Sequence, residues 1–235
     1  MLKRCLRWVI VAAAIAFLAH TLAGHWGEVT ATRLRGNGGP LLLLACVITL
    51  LAHCWSGWVW GWILQALKQP VGGAWSTPVY LKTNLLKYLP GNVWHFYGRV
   101  RALAGIGVAR GPAIVGVALE PLLMAAAALL LGLASPTRYW PWQLVMLGAV
   151  LEIMHPRRLN PLMNWLGQAK AESEPGAPEP LSPVTLNHYP LKPLLGELGF
   201  VLLRGLGFAL VIGALSPLPI NLWLPVVSLF SLAWL

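Results

Sequence analysis

Two of the chain's seven acidic residues, Glu120 and Glu197, lie deep inside long apolar runs, and so does Arg204. A charge carried to the middle of a bilayer costs roughly 3 kcal/mol or more on insertion scales, so such groups face other helices or a wet cavity. Glu197 and Arg204 are seven residues apart, on one helix face but two turns from each other, so a direct ion pair needs a bridging group. The chemistry they offer is headgroup recognition. Arg204 would hold a lipid phosphate, while Glu120 or Glu197 sets its orientation or meets a cationic part of the headgroup. A plainer reading has these charges pair with one another, or snorkel, only to fix helix packing. Both readings stay open at this point.

The second candidate site is the stretch Lys82-Thr-Asn-Leu-Leu-Lys-Tyr-Leu-Pro-Gly-Asn-Val-Trp-His-Phe-Tyr-Gly-Arg99 with Arg101. It is too polar for an ordinary span and too aromatic for an ordinary soluble loop, which predicts a segment held at or dipping into a membrane surface. Helical periodicity places Leu81, Leu85, Tyr88 and Leu89 on one side, turns Thr83, Asn84 and Lys87 away, and leaves Lys82 and Leu86 at the border. Pro90 should push Leu89 out of helical geometry and Gly91 should permit a sharp turn. A second short segment then restarts with aromatic side chains suited to headgroup level. Lys82, Lys87, Tyr88, Trp94, His95, Arg99 and Arg101 are the candidate lipid-binding residues here, because arginines among rings suit a phosphate and its glycerol region. The alternative is a cationic anchor with an aromatic belt and no bound substrate.

Little else in the sequence suggests catalysis or metal binding. His20 and His53 fall in different apolar runs with no second pair of ligands. There is no phosphate-cradling glycine loop, metalloprotease pair or serine elbow, so neither an enzyme nor a cofactor is expected. Cys5, Cys46 and Cys54 have no paired spacing and read as small apolar residues.

The elements that must position these residues follow from composition. Of 235 residues 57% are hydrophobic and 10% charged, and the mean hydropathy is +0.68. These values point to an all-α, polytopic integral membrane domain and argue against a soluble globule. The formal net charge of +10 is scattered between apolar runs and does not form one basic face, which disfavours nucleic acid as a partner and favours anionic lipid. Six spans are expected, near 8–24, 40–64, 113–133, 142–154, 194–215 and 221–235, with a hairpin at 78–101 and a flexible cytoplasmic loop at 168–190. The span at 142–154 is short enough to be re-entrant, the one at 113–133 should be interrupted at Glu120-Pro121, and the last stops before it is complete. Gly57 with Gly61, and Gly205, Ala209 and Gly213, are candidate small-residue seams. A signal peptide is the rival reading for the first run, and either reading keeps the N-terminus cytoplasmic.

Charge supports this orientation. Of the 17 basic residues, 13 fall on the expected cytoplasmic side: Lys3, Arg4, Arg7, Lys68, Lys82, Lys87, Arg99, Arg101, Arg110, Arg157, Arg158, Lys170 and Lys192. Arg33, Arg35 and Arg138 fall outside, which is the imbalance the positive-inside rule describes.

The run from Lys87 to Arg99 resembles the signature of the lysylphosphatidylglycerol synthase transmembrane, or flippase, domain family. The glycine-containing turn leading to the span with Glu120, and His155-Pro-Arg-Arg-Leu-Asn160, are also similar to that family, and the resemblance runs from about Leu41 to the end. It implies a multi-pass inner-membrane protein that binds or translocates an anionic phospholipid or glycolipid, including an aminoacylated one. It also implies a C-terminally truncated member, because the family usually continues into a Pro-Gly-rich stretch and further helices. The soluble aminoacyl-transferring domain is missing from this sequence, so lipid synthesis is not expected. The alternative is a non-catalytic scaffold beside an envelope glycosyltransferase or lipid-modifying enzyme, and a second copy of the chain is a further candidate partner.

Overall fold

The computed structural model describes residues 12, 15–17, 19–31, 33–89, 91, 93–135, 138–161 and 186–235. Lys3, Arg4, Arg7, Cys5, Pro90, Asn92, Lys170 and the expected loop at 168–185 lie outside them. The described residues form helices and no strands: α1 (Trp26–Ala31), α2 (Gly38–Ala66), α3 (Gly73–Asn84), α4 (Trp94–Ala104), α5 (Arg110–Gly132), α6 (Trp140–Ile153), α7 (Leu191–Leu215) and α8 (Trp223–Ala233). Short 3-10 turns occupy Leu85–Tyr88 and Ile220–Leu222.

Three helices, α2, α5 and α7, are long and apolar enough to cross a membrane. The other expected spans fall short. At 1.5 Å per residue the 14 residues of α6 reach about 21 Å and the 11 of α8 about 16 Å, against a hydrocarbon core of about 30 Å. The expected first span lies partly outside the described residues. No break occurs at Glu120-Pro121, because α5 runs through Pro121 without interruption.

The core sits where α2, α5 and α7 meet. The most extensive interface joins α2 to α7, and α7 also packs on α5 and α8. Trp55 of α2 donates its indole N–H to the Gly196 carbonyl of α7 (2.8 Å), and Trp60 donates to the Gly116 carbonyl of α5 (3.2 Å). The expected seam on α7 is divided between partners, because Gly205 meets Val227 of α8 whereas Gly213 faces Leu41 of α2. Gly196 and Gly207, outside that seam, meet Val59 and Thr49 of α2. The seam at Gly57 and Gly61 serves α3 and not a second span. A β-carbon at Gly57 would stand 2.9 Å from Thr77 Cα, and one at Gly61 would stand 2.7 Å from Ser76 Oγ. Ser76 then donates to the Gly57 carbonyl at 2.7 Å, so the close approach is sealed by a buried hydrogen bond.

In the segment from α3 to α4 the polar face is the buried one. Leu85 and Tyr88 are 68% and 80% exposed, while Tyr80, Thr83 and Arg99 are buried. The polar side points inward because its partners, Ser56 and Glu120, are inside the bundle. Instead of one helix from Leu81 to Leu89, α3 stops at Asn84 and tightens into a 3-10 turn. Leu89 is extended (φ −79°, ψ 141°), as a residue before proline should be. Gly91, at φ 98°, then makes the reversal in a region of backbone space that glycine enters freely.

Candidate functional site

Glu120 projects from α5 into a knot built by three other helices. Arg99 of α4 pairs with it through Nη1 to Oε2, with only 1% of the arginine and 3% of the glutamate exposed. The remaining guanidinium donors are also taken, Nη2 by Asn84 Oδ1 (2.8 Å) and Nε by Thr83 Oγ1 (3.3 Å). Tyr80 donates its hydroxyl to Glu120 Oε1 at 2.7 Å and accepts from Ser56 Oγ at 2.8 Å. Burial, and then the Glu120 charge, hold the Tyr80 phenol well above its usual range, so it stays a donor. The guanidinium also lies 3.9 Å from the Tyr80 ring centroid and 5.5 Å from that of Trp60. Every charged atom in this knot has a partner, which is the condition under which a buried ion pair is tolerated.

Beside the knot lies a group in the opposite state. Glu197 of α7 is fully buried, and neither of its carboxyl oxygens has a hydrogen-bond partner among the described residues. It stands within electrostatic reach of Glu120, Arg99 and Lys87. His53 of α2 packs against Phe200 of α7 with ring centroids 5.9 Å apart. Arg204, two turns past Glu197 on α7, rests its guanidinium 5.0 Å from the Trp234 ring. Neither His53 Nδ1 nor Arg204 Nε has a hydrogen-bond partner among the described residues. Lys87, on the 3-10 turn, is half-buried and feels Glu120, Arg99, Arg204 and Glu197; burial lowers its ammonium below the usual lysine range. Among the described residues neither Lys87 nor Arg204 makes a hydrogen bond or an ion pair. Among the described residues no extensive packing joins α3, α4 or the turn carrying Lys87 to α7.

The predicted site residues therefore divide into three sets. Arg99 and Glu120 are locked in the knot, so Arg99 is a partner of Glu120 here and is not an open receptor for a headgroup. Lys87 lies within electrostatic reach of Glu197 and of Arg204, which stand two turns apart on α7, and His95 is near Lys87 and Arg99. Burial and those two cations push the His95 imidazole down to about 4, and its Nδ1 has no hydrogen-bond partner among the described residues. Lys82, Tyr88, Trp94 and Arg101 lie on the outer surface, although Tyr88 is still within reach of Arg204. With Leu85, Val93 and Tyr97 they form an exposed rim in which apolar and aromatic side chains predominate.

Sequence reasoning missed Ser56, Trp60, Tyr80, Thr83 and Asn84 as site residues. A signal was present, since 80, 83 and 84, like 56 and 60, repeat at the spacing of one helix face. His53 was weighed only as a metal ligand. Among the described residues no three His, Cys, Asp or Glu side chains gather as metal ligands. Comparison with protein-family models, with curated proteins and with solved structures finds no match. Among the described residues the chain is all-helical, with three helices long and apolar enough to cross a membrane.

Proposed function

We propose that this chain is an integral protein of the inner membrane that binds or translocates an anionic phospholipid or glycolipid, with its N-terminus in the cytoplasm. The observation that carries this reading is that Lys87, within electrostatic reach of both Arg204 and the fully buried Glu197, and Arg204 itself have no ion-pair partner among the described residues. Buried charges are retained where something pairs with them, and here the chain supplies no described partner. A phosphate entering between the 3-10 turn and α7 supplies one. The exposed rim of Leu85, Tyr88, Trp94 and Tyr97 supports placement at headgroup level, where amphipathic rings collect. The Arg99–Glu120 knot holds the two short helices in place while the lipid binds beside it.

The test is movement of labelled phosphatidylglycerol in reconstituted vesicles. Replacing Lys87 and Arg204 together by Ala should slow it at least tenfold with little change in melting temperature, while Lys82→Ala leaves it near the wild-type rate. Unchanged movement in the double variant would remove this mechanism. One observation favours a second reading. The knot is closed and fully satisfied, as suits a rigid scaffold for an envelope glycosyltransferase or lipid-modifying enzyme. Co-purification with such an enzyme, and no lipid movement, would select it.

A further inference from the structure

A second polar site lies away from the knot, where the end of α2 meets the start of α7. A pocket of about 380 Å³ opens there, lined among others by Trp62, Gln65, Lys68, His188, Tyr189 and Lys192. Its volume falls within the range of small-molecule sites. One wall is fixed in advance. The extended stretch entering α7 is tied to Asn160, which accepts from the Leu186 N–H at 2.8 Å and donates to the Leu186 carbonyl at 3.1 Å.

Both lysines of this pocket occupy positions that local structure alone would give to another residue. Lys68, just past the C-terminus of α2, has φ 59° and is the only non-glycine among the described residues with positive φ. Its N–H bonds to the Gln65 carbonyl at 2.9 Å and the Gln69 N–H to that of Leu64 at 2.9 Å, a helix-end geometry in which glycine is the usual occupant. A cation at a helix C-terminus offsets part of that strain. Lys192 has no such compensation. It is the second residue of α7, where the helix already presents partial positive charge and an acidic residue would be favoured. Lys192 is exposed, and its ammonium rests 4.6 Å from the Trp62 ring centroid. Helix N-termini with an added cation are where oxyanions bind.

We infer that this pocket is an oxyanion site, separate from the Lys87–Arg204 region, in which Lys68 and Lys192 hold a phosphate while Trp62 and Tyr189 flank the group that carries it. The phosphate could belong to a membrane lipid or to a soluble phosphomonoester, and the two sources share this chemistry. The inference does not depend on lipid movement through the other region.

The test uses the full chain in detergent, with binding read as a rise in melting temperature. The probes are inorganic phosphate, a short-chain phosphatidylglycerol and a short-chain phosphatidylcholine as control. Stabilisation by phosphatidylglycerol alone identifies a lipid source, and stabilisation by phosphate as well identifies a free oxyanion as sufficient. In both cases Lys68→Ala with Lys192→Ala should weaken binding at least tenfold. Lys68→Gly separates site from scaffold, because it should raise the unliganded melting temperature while weakening binding at least threefold. Equal binding by wild type and the double variant would overturn the inference. So would binding of phosphatidylcholine as strong as that of phosphatidylglycerol, or stabilisation by neither anionic probe.

Discussion

Two polar regions share one interior and differ in a single respect. In the knot, Glu120 has a donor on each oxygen and Arg99 has an acceptor for each of its three nitrogens. In the neighbouring region, Glu197, His53 and Arg204 each carry a polar atom that meets no partner among the described residues. Both regions draw residues from long apolar helices, so burial alone does not distinguish them. Satisfaction does. A satisfied buried pair is explained by the fold it holds together, whereas an unsatisfied one costs stability that the folded chain does not recover internally.

That contrast predicts opposite signs for the same kind of substitution. Glu120→Leu should destabilise by about 3–5 kcal/mol, because it strands Arg99 without its counter-charge. Adding Arg99→Met should recover most of the loss, and a thermal unfolding cycle on the four proteins measures that coupling. Glu197→Leu should instead stabilise by about 1–3 kcal/mol, since it removes a buried polar group that has no partner, while abolishing lipid movement. If both glutamates destabilise alike on replacement, the distinction between the two regions is broken.

The smallest effect belongs to His95, which borders both regions. Its imidazole is held down to about 4, against 6.5 in an unfolded chain, so between those values the unfolded state binds more protons. Stability should therefore fall as pH drops from 6.5 towards 4, and His95→Gln should flatten that slope in unfolding curves taken across the window.

The long helices were legible because an apolar run of 23 to 29 residues has few alternatives, and α2, α5 and α7 lie where hydropathy predicted spans. Leu89 and Gly91 were legible for stereochemical reasons. The direction of the α3–α4 segment was not. Periodicity identified two faces but could not say which one meets the rest of the chain. Here the polar face turns in because Glu120 and Ser56 await it, and those residues come from helices remote in sequence. Pairing of Arg99 with Glu120 was missed for the same reason, since 21 positions separate them and no local spacing reveals the contact. The approach of Lys87 to Glu197 and to Arg204 likewise joins positions more than 100 residues apart. The docking of α7 on α2 uses Gly196 and Gly207 as well as Gly213, and the small-residue pattern had pointed to Gly213 but not to the other two.

The central claim is that an anionic lipid enters between the 3-10 turn and α7, and photo-crosslinking tests it most directly. Phosphatidylglycerol bearing a photoreactive group near its phosphate would be incorporated with the protein into vesicles, and the adducts mapped by peptide mass spectrometry. The account predicts adducts around Lys87 and on α7 near Arg204, lost when both cations are replaced by Ala. Adducts confined to the exposed outer face of α2, at residues such as Leu43 and Leu50, and indifferent to those substitutions, would contradict it.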